Sequence, residues 1–167
     1  MREIEVAKLS LDAVELWANQ WLVLTAGTLA DCNMMTVSWG SIGYMWSKPF
    51  AQVLARPQRH TRKYLEEAES FTLCAFSENH REELRTLGTL SGKDGPKLAK
   101  TGLTLRASTR VAAPAYQEAS LILECRKIYV QDLDPAGFTD KAILQECYPA
   151  KDYHRIYYGE ILAAFRS

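Results

Sequence analysis

Six apolar stretches set the limits on what this 167-residue chain can fold into. They are 21-WLVLTAG-27, 34-MMTVSWG-40, 50-FAQVLAR-56, 71-FTLCAF-76, 119-ASLILECRKIYVQDL-133 and 154-HRIYYGEILAAF-165. Each is rich in β-branched or aromatic residues and bounded by Gly, Pro, Asn or Asp, the pattern of strands. Strands that recur at this spacing with little helix between them predict a mainly β fold with flanking helices, an antiparallel sheet closed into a barrel or sandwich. Two connecting segments, 61-TRKYLEEAE-69 and 79-NHREELRTLG-88, read as helices, the second ending on a glycine suited to a helix C-terminus. Residues 8–20 mix helical with extended spacing and predict neither shape, and 91–102 reads as a Gly- and Lys-rich loop with a short helical turn.

Length and the absence of any repeat, low-complexity tract or linker predict a single domain over 1–167, with 47% hydrophobic residues to fill its core. Twenty Lys and Arg balance twenty Asp and Glu, so no net field draws the chain to nucleic acid or an acidic membrane. A barrel that stacks bases on Trp39, Trp46 or tyrosines would need an extended basic groove, whereas the cations concentrate around 56–63. Acids at Glu3, Glu5, Asp12 and Glu15 interrupt the region where a signal peptide would be apolar, and 21-WLVLTAGTLA-30 is too short to cross a bilayer as a helix. The expectation is a soluble, cytoplasmic protein without a membrane partner. Cysteines 32, 74, 125 and 147 lack metal-knuckle spacing and the three histidines are isolated, which predicts reduced thiols and no metal site.

The segment 56-RPQRHTRKYLEEAES-70 has an unusual charge order. Thr61 is a plausible N-cap, with Arg62 and Lys63 in the first turn and Glu66, Glu67 and Glu69 toward the end. A helix dipole favours the reverse arrangement by about 0.3–1 kcal/mol per charge. An external anion at the helix start, met by Thr61, Arg56 and Arg59, would redress it; a solvated cation patch paired with the glutamates is the plainer alternative.

In 33-NMMTVSWGSIGYMWSKP-49 an extended chain puts Met34, Thr36, Ser38 and Gly40 on one face and Met35, Val37 and Trp39 on the other. One face can fill a core while the other offers hydroxyls and backbone to a ligand, with Asn33 adding a donor and an acceptor. A twisted strand with small residues against a neighbouring sheet would read the same way. The loop 91-SGKDGPK-97 could cup an anion, with Lys97 as a point charge, or be an ordinary surface turn. No G-x-G-x-x-G follows a strand, no phosphate-binding loop spacing is present, and no G-x-S-x-G or Cys-His arrangement marks a nucleophile, so any reaction would rely on a bound cofactor. His154 could orient a cofactor or substrate, or serve the structure.

Taken in order, N-x-x-T-V-S-W-G at 33–40, W-S-K-P at 46–49, R-P-x-R-x-T at 56–61, S-G-K-D at 91–94, G-L-T at 102–104 and D-Y-H-x-x-Y-x-G-E-I at 152–161 resemble the flavin reductase-like FMN-binding split-barrel family, in particular its flavoredoxin-like branch. The resemblance runs from about Trp21 to Ile161. It implies a Greek-key split β-barrel, usually a homodimer, with FMN held noncovalently near the subunit boundary. It implies that Asn33, Thr36, Val37, Ser38 and Trp39 lie along the flavin, that Arg56, Arg59 and Thr61 meet its phosphate, and that Ser91, Gly92 and Lys97 close over it. His154 falls on a motif position with a substrate-side role in view; no catalytic acid or base is assigned. The implied activity is transfer of a hydride from NAD(P)H to FMN and of electrons to a further acceptor, the alternative being an FMN electron carrier that does not turn over NAD(P)H. Gly95-Pro96 departs from the family pattern and predicts a displaced 91–97 loop.

Overall fold

The computed structural model describes residues 1–167. Ten strands form: β1 (Arg2–Ile4), β2 (Leu22–Gly27), β3 (Cys32–Val37), β4 (Gly40–Met45), β5 (Lys48–Ala55), β6 (Ser70–Ala75), β7 (Leu105–Arg106), β8 (Ala115–Tyr116), β9 (Leu121–Asp132) and β10 (Arg155–Arg166). Helices are α1 (Ala13–Glu15), which runs on into a wide turn over 16–20, α2 (Thr61–Glu67), α3 (Arg81–Thr89) and α4 (Lys141–Cys147). The main sheet has the order β3-β2-β6-β9-β10-β5-β4, all neighbours antiparallel, with β1 added beside β10. It curls around a core without closing, a split barrel open between β3 and β4.

Two apolar clusters hold the sheet from both sides. Leu22, Leu24, Met35, Val37, Val53, Phe71, Leu73, Leu123 and Tyr157 point inward, while Val23, Met34, Cys74, Leu84, Leu87, Tyr116 and Ile122 form a second core on the outer face under α3. Hence β2 and β6 are buried on both faces and read as continuous apolar runs. Full burial of each such Leu or Phe contributes about 1.5–3 kcal/mol, more than a two-stranded piece could gather alone.

The structure corrects the expected elements in four places. The strand predicted over 34–40 ends at Val37, and Gly40 instead opens β4, which no expectation included. β4 and β5 form a hairpin whose two-residue turn is Trp46-Ser47, with both residues at positive φ (55° and 58°). That turn geometry matches strand twist but favours Asn or Gly, so the sequence carries no signal for it. The second helix starts later than predicted, after a tight turn at 78–80, and passes through Gly88 to Thr89. α4 was not expected; Asp140 caps it by accepting from Ala142 N–H.

Candidate functional site

β3, the end of β5, the 56–61 turn, the 91–97 loop and the start of β10 meet around two adjoining recesses, of about 250 and about 450 Å³. Met35, Arg56 and Arg59 line both, making one continuous groove. The smaller recess is bounded by Thr36, Val37, Ser38, Trp39 and His154, the larger by Thr61, Ser91, Gly92 and Lys97. Residues from four separate stretches of sequence therefore share one groove. Asn33 lies beneath it rather than on its wall: its buried Oδ1 accepts from the Thr61 hydroxyl at 2.8 Å.

Local folding explains the placements. Val37 and Met35 pack into the barrel, but the opposite side of β3 is taken up by α3, with the Thr36 hydroxyl donating to the Leu84 carbonyl at 2.5 Å. The expected hydroxyl face is thus covered by α3 at Met34 and has its Thr36 hydroxyl spent on the helix, while Ser38 stays exposed at the recess. The chain leaves strand geometry at Ser38-Trp39, so Trp39 is not a core residue; it is 46% exposed, its ring 5.4 Å from that of His154.

Thr61 is not the N-cap. It is the first helical residue, preceded by His60 with no side-chain cap, and its hydroxyl is spent on Asn33. The turn before the helix supplies acceptors for Arg59, Arg62 and Lys63 N–H, leaving those of His60 and Thr61 without an acceptor in the chain, both residues lining the larger recess. Backbone donors of this kind call for a partner. A β-carbon at Gly92 would overlap the Asn33 amide and the His60 ring, which is why the loop can close this tightly.

Arg56 donates from Nη1 to Asp152 Oδ2 at 2.6 Å and from Nη2 to the Cys147 carbonyl at 2.8 Å, and lies over the Tyr148 ring 5.1 Å from its centre. Arg59 donates to the Gly88 carbonyl at 2.7 Å. Lys97 is buried, with Nζ donating to the carbonyls of Leu87 and Leu90, so the Gly-Pro loop is drawn inward onto the end of α3. Burial, and then the Arg59 charge, bring the Lys97 ammonium down to about 8. His154 Nδ1 is 2.8 Å from the Tyr148 hydroxyl; burial first, then Arg56, lowers its pKa to about 4, so the ring is neutral at pH 7. Hydrogen bonds from Gln58 and Arg56 hold the Asp152 carboxyl below its ordinary range.

Sequence reasoning did not find Leu54, Gln58, Tyr148 or Asp152. Asp152 stands in the quoted D-Y-H motif, but its pairing with Arg56 spans 96 residues and only the fold reveals it. A separate recess of about 490 Å³, near Asp31, Tyr64, Glu69 and Arg126, contains none of the predicted residues, and Arg126 there is paired with Glu160 at 2.5 Å.

The groove thus runs from Trp39 and His154 at one end to His60, Thr61 and Lys97 at the other, with Arg56 and Arg59 reaching both. Residues 17–166 match the flavin reductase like domain family, and the chain belongs to it. The fold is shared with an FMN-binding domain of a flavin reductases-like enzyme from Shewanella baltica (19% identity, TM-score 0.70, 99% of this chain and 76% of that one). It is shared too with flavoredoxin of Desulfovibrio vulgaris (20%, TM-score 0.69, 96% and 76%). A third likeness is to an NADH:FAD oxidoreductase of Streptomyces globisporus (16%, TM-score 0.68, 89% and 75%).

Proposed function

We propose that the groove holds FMN and that the protein is a flavin-dependent oxidoreductase taking a hydride from NAD(P)H and passing electrons to a second acceptor. The observation that carries this reading is the groove's layout: Lys97 and the unpaired N–H groups of His60 and Thr61 gather at one end, Trp39 and His154 at the other, and Arg56 and Arg59 reach both. The cationic end suits a phosphate, with charge-assisted bonds each contributing about 1.5–3 kcal/mol. Ser91 and Gly92 close that end, and Thr36, Val37, Ser38 and Trp39 form the wall along which a flat ring would lie. FMN, when bound, supplies the hydride and electron chemistry. Neutral His154, steadied by Tyr148, offers hydrogen bonding without adding charge beside a ring.

The fold likeness to the Streptomyces NADH:FAD oxidoreductase supports a nicotinamide donor, and that to flavoredoxin supports the second reading, an FMN electron carrier. Reduction of the flavin-loaded protein by NADH or NADPH under anaerobic conditions separates them: bleaching of the flavin's visible absorption is expected, and no bleaching with either nucleotide sinks the reductase reading in favour of the carrier. Release of FAD rather than FMN on heating would overturn the cofactor.

We further propose a homodimer through the outer face of β4, β5, β9 and β10. Trp46 and Tyr129 are 54% and 45% exposed there, and Trp46, Tyr129 and Tyr158 form one aromatic cluster with ring centres 5.6–6.2 Å apart. Such a patch fits a partner surface, and along β5 it continues through Gln52 and Leu54 to Arg56 in the groove. Sedimentation at twice the monomer mass is expected, reverting to monomer in Trp46→Glu. Four free thiols suit a cytoplasmic setting.

A further inference from the structure

The α4–β10 connection, residues 148–154, holds both Arg56 and His154 in place at the groove. Tyr148 bonds His154 and lies under Arg56, the Cys147 carbonyl accepts from Arg56, and Asp152 accepts from Arg56 and from Gln58 at 2.8 Å. Asp152 is an expensive way to do this. Both of those bonds fall on Oδ2, while Oδ1 is buried with no partner. Lys151, just before it, is held at φ 55°, a region that disfavours side chains. A segment selected for stability alone would not keep a half-satisfied carboxylate after a strained lysine.

We propose that Asp152 is a positioning residue: it fixes the plane and reach of the Arg56 guanidinium so that the remaining donors serve the anionic end of the ligand. An arginine has five N–H donors, of which the chain uses one from each Nη, so Asp152 orients Arg56 without exhausting it. The guanidinium is clamped on one face by Tyr148 and at two corners by oxygens, which removes the rotamer freedom that a phosphate would otherwise have to quench.

This inference rests on the flavin reading, and the test separates the two. Dissociation constants for FMN and for riboflavin, which lacks the phosphate, are measured by flavin fluorescence quenching for the wild type, Asp152→Ala, Asp152→Asn, Arg56→Ala and the Arg56→Ala/Asp152→Ala double variant. Asp152→Ala is expected to weaken FMN about tenfold and riboflavin by less than about twofold. The double variant should be no weaker than Arg56→Ala, because both changes remove one device. Asp152→Asn, which keeps the shape and an oxygen toward Arg56, should give a smaller loss confined to FMN, and it carries the same test if the alanine variant fails to fold. Equal losses for FMN and riboflavin would make Asp152 a merely structural residue and overturn the proposal. Tighter FMN binding in Asp152→Ala would also overturn it, by showing a competing anion. A wild type that binds neither flavin overturns the cofactor reading itself, and this inference with it.

Discussion

Glu124 and Asp152 are both carboxylates drawn into the protein, and the chain treats them differently. Glu124, on β9 and 2% exposed, accepts from Thr109 N–H with both oxygens (2.9 and 3.1 Å), from the Thr109 hydroxyl at 3.1 Å and from Arg110 N–H at 2.6 Å. Its two oxygens are fully used in pinning the 109–110 loop to the sheet. Asp152 leaves one oxygen orphaned and gives the other to Arg56 and Gln58. A carboxylate satisfied by the chain closes a fold; one left half-satisfied beside a cation in a groove is the kind of group the proposed binding role would explain.

The contrast breaks most readily on stability. Glu124→Ala removes the acceptor of the Thr109 and Arg110 donors from a buried site and is expected to cost about 3 kcal/mol in urea unfolding, since each lost bond to a charged group counts for about 1.5–3 kcal/mol. Asp152→Ala should shift the urea midpoint far less; equal shifts would erase the distinction. On ligand affinity the order reverses. Arg56→Ala should weaken FMN by about 1.5–3 kcal/mol in a fluorescence titration, whereas Glu124→Gln should leave FMN affinity unchanged. Thr61→Ala should have a smaller effect, about 0.5–1.5 kcal/mol, shared between affinity and stability because its hydroxyl holds buried Asn33.

Protonation sharpens the comparison further. Lys97 titrates at about 8 in the folded chain instead of 10.5, so its charge is lost as pH rises through 8. FMN phosphate is already fully ionised there, its second pKa being about 6. Affinity should therefore fall between pH 7.5 and 9 by about tenfold, a dependence absent in Lys97→Met. His154 is lowered from 6.5 to about 4, so between those values the unfolded chain binds the extra proton. Stability is full above about 6.5 and declines as pH falls toward 4, and His154→Gln should flatten that limb of a urea-midpoint profile. The smallest effect is expected at Lys151→Gly, which relieves the positive φ before Asp152 and should stabilise by about 0.5–1 kcal/mol without weakening FMN.

How much of this was legible in the chain differs by element. β2 and β6 announce themselves because burial on both faces demands an unbroken apolar run. β4 does not, being an edge strand of small and mixed residues whose pairing depends on β5 and on a Trp-Ser turn that no local preference encodes. At the groove, cations, hydroxyls and glycines stand in recognisable local patterns: Arg56, Arg59 and Thr61 within six residues, Ser91 and Gly92 side by side, Thr36 to Trp39 along one stretch. What local patterns lack is the partner. Thr61 read as a helix cap turned out to serve Asn33, 28 residues away, and Arg56, read as available to an anion or paired with nearby glutamates, is held by a carboxylate 96 residues on.

The sequence by itself determined the strand-rich class, the residues available to line a groove and the family. Tertiary structure decided the rest: that the barrel stays open between β3 and β4, that α3 covers one face of β3, and which oxygen meets which cation. The physical reason is range. Propensity and periodicity act over a few residues, whereas a buried hydrogen bond or ion pair is settled only when the folded sheet brings distant segments together and removes the water that each polar group would otherwise keep.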